Sequence, residues 1–205
     1  MGLKKSRSEK PKKIVQEEKD CNQIRQDLLD DDATKRRWAA RDIVSCPGAT
    51  LMLLDQLDDE TDMSVRQIIL SSLTQIGDTD AVEGLVSCLR SEDAGLRNEA
   101  IEAMKHLPKE VAPIMATLLN DPDPDVRIFA VNILESLCHP DVEQWLIDVI
   151  RDDEHVNVCA TAVDLLGEVG SSHSKDTLSD LKIRFPEEPY IQFAADLAIK
   201  RISEG

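Results

Sequence analysis

The sequence predicts an all-α solenoid, a right-handed α-α superhelix of about six two-helix units, and three observations carry that prediction. The stretch Asp121-Pro-Asp-Pro-Asp-Val-Arg-Ile-Phe-Ala-Val-Asn-Ile-Leu134 returns in outline five more times. Its Arg127 is matched by Arg36, Arg66 and Arg97, and then by Cys159 and Gln192, at intervals of 30, 31, 30, 32 and 33 residues. Small or apolar residues follow Arg127 three, seven and ten places on, at Ala130, Leu134 and Leu137, and that spacing is one face of a helix. No segment alternates with period two for long enough to make a strand.

The elements follow in order. Residues 1–13 carry Lys4, Lys5, Arg7, Lys10, Lys12 and Lys13 against Glu9 and have little to bury, so they are expected to form a disordered basic tail ahead of a solenoid over 14–205. Met-Gly-Leu-Lys-Lys-Ser matches the N-myristoylation pattern at Gly2, although a plain solvated tail is the expectation. Residues 14–29 read as the first helix of an incomplete opening unit. After it each unit has an anchor helix, a turn and a return helix. The turns are marked by Cys46-Pro47-Gly48, Ile76-Gly77-Asp78, Leu107-Pro108, His139-Pro140 and Val169-Gly170. Return helices are expected over 49–57, 81–89, 111–119, 142–150 and 175–183, and a capping helix over 189–202.

Four residues before each anchor arginine sits an aspartate, which suits a helix N-cap. The pairs are Asp32 with Arg36, Asp62 with Arg66, Asp93 with Arg97, and Asp123 with Arg127. Stacked in register, these carboxylates and guanidinium groups are expected to form a ladder between repeats.

The formal net charge of −16 is uneven: the tail is +5, which leaves −21 on the remainder. So acidic a body repels phosphate backbones and argues against nucleic acid as the main partner. The five cysteines (Cys21, Cys46, Cys88, Cys138, Cys159) are odd in number and show no Cys-x-x-Cys pair, which fits reduced thiols and a cytoplasmic location. No window approaches 18 uninterrupted apolar residues, so no membrane partner is expected.

The combination Asp-x-x-Val-Arg-x-x-Ala-x-x-x-Leu-x-x-Ile-Gly, present in pieces at 62–77 and 123–137, resembles the HEAT-repeat family. The likeness is to its short phycobilisome-lyase-like variant of about thirty residues, over about residues 20–203. The resemblance implies that the Val-Arg helices line the concave face of a curved superhelix, and that this face binds another protein or peptide. It implies no catalytic residue, metal or cofactor.

Candidate chemistry is sparse. In the fifth unit the aspartate becomes His155 and the arginine Cys159, one helical turn apart, with Cys138 and His139 one unit earlier. Two Cys and two His make a zinc-like set, but the spacing matches no zinc motif, and a buried thiol in a degenerate ladder is the plainer reading. An accessory enzyme or bilin-lyase-like factor working through Cys159 and His155 is the alternative function. Iron-binding deoxyhypusine hydroxylases of this architecture carry His-Glu pairs, which are lacking here. Repeat-built DNA glycosylases use a basic aromatic cleft, and the acidic body with its 3% aromatic content argues against one.

The binding face follows from helical angles. Positions one, five and eight after the anchor point away from the core. They place Arg37 and Arg41 at one end, then Gln67, Asn98, Glu102, Ile128, Asn132 and Asp164, with Phe193 and Leu197 at the other end. These residues are the expected partner-binding surface of a non-enzymatic adaptor, for example in a signalling complex.

Overall fold

In the computed structural model, which describes residues 20–204, the described residues are all helical or irregular and include no strand. Helix α1 (Cys21–Leu28) opens the stack. The anchor helices are α2 (Ala33–Asp42), α4 (Met63–Ile76), α6 (Ala94–Lys105), α9 (Pro124–Leu134), α11 (Val156–Val169) and α13 (Pro189–Glu204). Return helices α3 (Ala49–Asp59), α5 (Thr79–Cys88), α10 (Val142–Asp152) and α12 (Lys175–Arg184) form a second layer, with the pair α7 (Pro108–Val111) and α8 (Met115–Leu118) in the third return position. The tail 1–13, Gly2 and the first part of the expected helix 14–29 lie outside the described residues.

The core sits between the layers. At three residues past the anchor a small side chain is buried in most units (Ala39, Ala100, Ala130, Ala162, Ala195), and at seven a larger one (Ile43, Leu73, Met104, Leu134, Leu166). The alanines let neighbouring anchor helices approach, and the larger residues fill the space above the return layer. Gly77 ends α4 in the left-handed region at φ 60°, and its N–H bonds to the Leu73 carbonyl at 2.9 Å. Only glycine adopts that backbone without strain.

The third return element is not the expected single helix over 111–119. Pro113 has no N–H to give to the Lys109 carbonyl, and the chain passes through a 3-10 turn over Ala112–Ile114 between α7 and α8.

The ladder also differs from expectation. Asp32, Asp62, Asp93 and Asp123 do cap α2, α4, α6 and α9, accepting backbone N–H groups from the first turn. Of these four, only Asp93 pairs with an anchor arginine, Arg66, at 2.7 Å; Arg66 also meets Glu99 at 2.9 Å. The principal carboxylates sit two residues before the caps. Arg36 binds Glu60 of the next unit through two bonds of 2.8 Å, and Arg127 binds Asp153 through bonds of 2.6 and 3.0 Å. Each arginine also reaches back to its own preceding turn, Arg36 to the Asp30 carbonyl and Arg127 to that of Asp121, both at 2.8 Å. The acid two places before the cap serves a second purpose, accepting the N–H of the cap residue: Glu60 from Asp62, Asp121 from Asp123 and Asp153 from His155. In the third unit Ser91 replaces that acid and its hydroxyl accepts from Asp93. Asp121 is taken by Arg90, and Arg97 is left bonding the Ser91 carbonyl at 2.6 Å, with its guanidinium 5.9 Å from the Phe129 ring.

Cys159 occupies the fifth anchor position, and its thiol donates to the Asp153 carbonyl at 3.3 Å, the contact that an arginine's guanidinium makes elsewhere. The missing cation comes from another helix: Arg184, at the end of α12, donates to the carbonyls of Ile150, Arg151 and Asp153. It thus closes the turn that Cys159 cannot.

The expected set of reduced thiols holds only in part. Cys21 of α1 is disulfide-bonded to Cys46, with Cα atoms 5.8 Å apart, while Cys88, Cys138 and Cys159 are free. The pairing depends on α1 packing against the 3-10 turn Ile43–Ser45 after α2, a tertiary contact that the 25-residue spacing does not announce.

Two tests follow. Arg36→Ala removes the cation paired with Glu60, whose side chain is 1% exposed and keeps only the Gln56 amide and the Asp62 N–H as donors, and is expected to cost about 3 kcal/mol in urea unfolding, against about 1 kcal/mol for loss of the Asp32 cap in Asp32→Ala; equal costs would remove the ladder from its central role. The Arg36 guanidinium holds Glu60 below its ordinary value of 4.5. Burial pushes Asp153 up, but the Arg127 guanidinium outweighs it and the carboxyl titrates below 3.8. Stability from depressed carboxylates is complete above the unfolded values and is lost as pH falls through the lower folded ones. The urea midpoint should therefore hold steady down to about pH 5 and fall below about pH 4, with a shallower fall in Glu60→Gln.

The second test is a double-mutant cycle. Arg184→Ala should cost about 1.5–3 kcal/mol in the native chain and clearly less beside Cys159→Arg. Strict additivity would show that Arg184 does not stand in for the missing anchor.

Candidate functional site

The anchor helices pack side by side in the order α2, α4, α6, α9, α11 and α13. Their outer faces, turned away from the return layer, form one surface of the stack.

The residues one and five places after each anchor lie on those faces. At the N-terminal end Arg37 is half-buried, and Arg41 is exposed and paired with Asp42 at 2.7 Å. Their guanidinium groups stand 5.8 and 4.3 Å from the ring of Trp38, which is itself exposed. The tryptophan thus belongs to this surface, two places after the anchor.

Gln67, Asn98 and Glu102 share a cleft of about 650 Å³ between α4 and α6. Its floor is Leu70 and Ala103, and its rim includes Ser71, Thr74 and His106. The shape has a local cause: Gln67, Ser71 and Thr74 are short or flexible polar residues on the outer face of α4, and Asn98 and Glu102 face them from α6.

Asn132 and Asp164 line a smaller cleft of about 240 Å³ between α9 and α11, with Glu135, Leu165 and Glu168. Lys105 bridges the two regions, 3.2 Å from Glu102 and 3.0 Å from Glu135. Burial pushes the Lys105 ammonium down, but the two carboxylates outweigh it and hold it above its ordinary value. Asp164 accepts a 2.6 Å hydrogen bond from the Tyr190 hydroxyl, which raises the phenol above 10.

Ile128 is not the exposed anchor expected: it is half-buried and packed against the core. Gly167 is buried, with Ala198 lying where its side chain would be. Three exposed apolar residues do share one face of α13, where Tyr190, Phe193 and Leu197 sit one turn apart and are 53%, 65% and 36% exposed; others, such as Leu29, Leu51, Met63 and Ile183, are scattered along the stack. Tyr190 was missed because it precedes the anchor position; its signal was the three-and-four spacing to Phe193 and Leu197.

The cysteine and histidine set forms no comparable site. Among the described residues no group of three or more His, Cys, Asp or Glu side chains is arranged to hold a metal ion. Cys138 is exposed, and His139 stacks on Trp145 with ring centroids 4.9 Å apart. Cys159 is buried, and burial pushes its thiol up to about 11, so it stays protonated at neutral pH. A nucleophile needs the reverse shift. Among the described residues no helix is long and apolar enough to cross a membrane.

No curated protein sequence matches the chain. Among solved structures it is similar to Mini spindles TOG3 of Drosophila melanogaster, at 15% identity over 88% of this chain and 93% of that one, with a TM-score of 0.54. It is also similar to the archaeal HEAT-like repeats protein of Thermococcus onnurineus NA1, at 18% identity over 90% and 87% of the two chains with a TM-score of 0.46. The complex of CpcE and CpcF of phycocyanin lyase from Nostoc sp. PCC7120 is similar at 16% identity over 97% and 100%, with a TM-score of 0.40. At such identities the likeness is one of fold alone. The family model for HEAT repeats matches residues 50–115 and 111–200, and with the recurring anchor helices described above it shows that the chain belongs to the HEAT-repeat family.

Proposed function

We propose that the protein is a non-enzymatic scaffold or adaptor that takes a peptide or helix of another protein on its concave face. The observation that carries this reading is the cleft between α4 and α6, with an apolar floor of Leu70 and Ala103 and a rim of Gln67, Asn98 and Glu102. An apolar side chain of a partner fits the floor, and the rim amides and carboxylates fix its orientation through hydrogen bonds. The Arg37, Trp38 and Arg41 cluster at one end and Tyr190, Phe193 and Leu197 at the other extend the surface, and exposed aromatic and arginine side chains are the residues that most often carry binding energy. The acidic body supports a protein partner over nucleic acid. A reading through Cys159 and His155 draws no support from a buried, protonated thiol.

The test is affinity capture from native lysate with wild type and with Ser71→Arg/Asn98→Arg, which crowds the cleft from two exposed positions and leaves the core intact. A partner held by wild type should be lost or weakened at least tenfold by this variant, with helicity unchanged. Arg37→Glu/Arg41→Glu should weaken it less, because that cluster lies at the edge. If the cleft variant retains the same partner at full affinity, the concave reading fails.

A further inference from the structure

The layer of return helices has a fissure on the face opposite the concave surface. On one side α5 is pressed against α3, where a Cβ on Gly84 would collide with the Leu54 side chain. On its other side the facing element is the broken segment of α7, the 3-10 turn and α8. A continuous helix would lie along α5; the interruption at Pro113 leaves a cleft of about 490 Å³. Val82, Val86, Ile114 and Leu118 line it with apolar surface, Asp78, Glu83 and Glu110 stand at its edge, and no lysine or arginine lines it. Asp78 is engaged in capping α5 and in accepting the Thr50 hydroxyl at 2.8 Å. Glu83 and Glu110 are exposed.

We infer that this convex cleft is a second docking site, and that its occupant is a cationic amphipathic segment of another protein. Aliphatic side chains of that segment enter the floor, and its lysines or arginines lie against Glu83 and Glu110. The apolar lining distinguishes such a ligand from a merely basic chain, and a carboxylate rim without a cation disfavours a neutral or acidic one. The chain's own Lys12-Lys13-Ile14-Val15 has a suitable composition. That segment lies outside the described residues, and a labelled peptide of residues 1–19 distinguishes it from another protein's segment in the test below. The inference goes beyond the concave reading: with both faces of the same units occupied, the protein would bridge two partners.

The test uses the full-length chain and fluorescence anisotropy with two fluorescein-labelled synthetic dodecapeptides. One is built of lysine and leucine with leucines at helical spacing; the other has the same charge with serine in place of leucine. The lysine-leucine peptide should bind at least tenfold more tightly than the lysine-serine one. Its affinity should fall at least tenfold in Glu83→Lys/Glu110→Lys and in Thr117→Arg, an exposed position on the cleft wall. It should stay within twofold of wild type in Ser71→Arg/Asn98→Arg on the concave face and in Glu92→Lys/Glu187→Lys, which makes the same charge change elsewhere. Absence of binding, equal binding of the two peptides, or equal loss in all charge variants would overturn the proposal, as would loss in the concave variant alone. A labelled peptide of residues 1–19 binding the cleft more tightly than the lysine-leucine peptide would also overturn it, by making the chain's own basic segment the occupant.

Discussion

The interaction on which the stack depends is the guanidinium group that joins a turn to the unit beyond it. Arg36 holds the carbonyl of Asp30 behind it and the carboxylate of Glu60 ahead of it, and Arg127 does the same with Asp121 and Asp153. A planar group with several fixed donors can satisfy backbone and carboxylate together, which an ammonium cannot do as well. Because Glu60 and Asp153 also accept the N–H of the next cap residue, Arg36 and Arg127 set the position at which the following anchor helix begins. In those units the spacing of the anchor helices is therefore held by polar contacts at the edge of the stack.

Where the ladder departs from its pattern, the chain makes the same contacts with other residues. Arg66 uses Asp93 and Glu99 where Ser91 offers no carboxylate, and Arg184 crosses from α12 to close the turn behind Cys159. What is kept is satisfaction of buried or half-buried carbonyl and carboxylate groups, whose abandonment costs more than any one pair contributes. A cysteine at an anchor position thus reads as a structural exchange of partners, in keeping with a thiol that burial holds protonated.

The two clefts have different origins. The cleft between α4 and α6 lies between regular helices and is rimmed by the polar residues of their outer faces. The cleft beside α5 lies where a 3-10 turn at Pro113 interrupts the facing helix. A solenoid with few aromatic residues and many small aliphatic ones has a continuous core that tolerates such a local break, since each unit is supported by its neighbours on both sides.

The sequence alone determined the repeat, its register and the face that each anchor residue occupies. A helix turns by a fixed angle per residue, so Ala130 and Leu134 had to share one side while Asn132 lay on another. Asp32, Asp62, Asp93 and Asp123 were legible as caps for the same reason: capping is a contact within a few residues. The tertiary structure decided what depends on distances between units. It assigned Glu60 and Asp153 to the arginines, bonded Cys21 to Cys46, brought Arg184 to the loop of Asp153, half-buried Ile128 against the core and left Tyr190 exposed. None of these follows from local geometry, because each joins elements whose relative placement is set by how the layers pack.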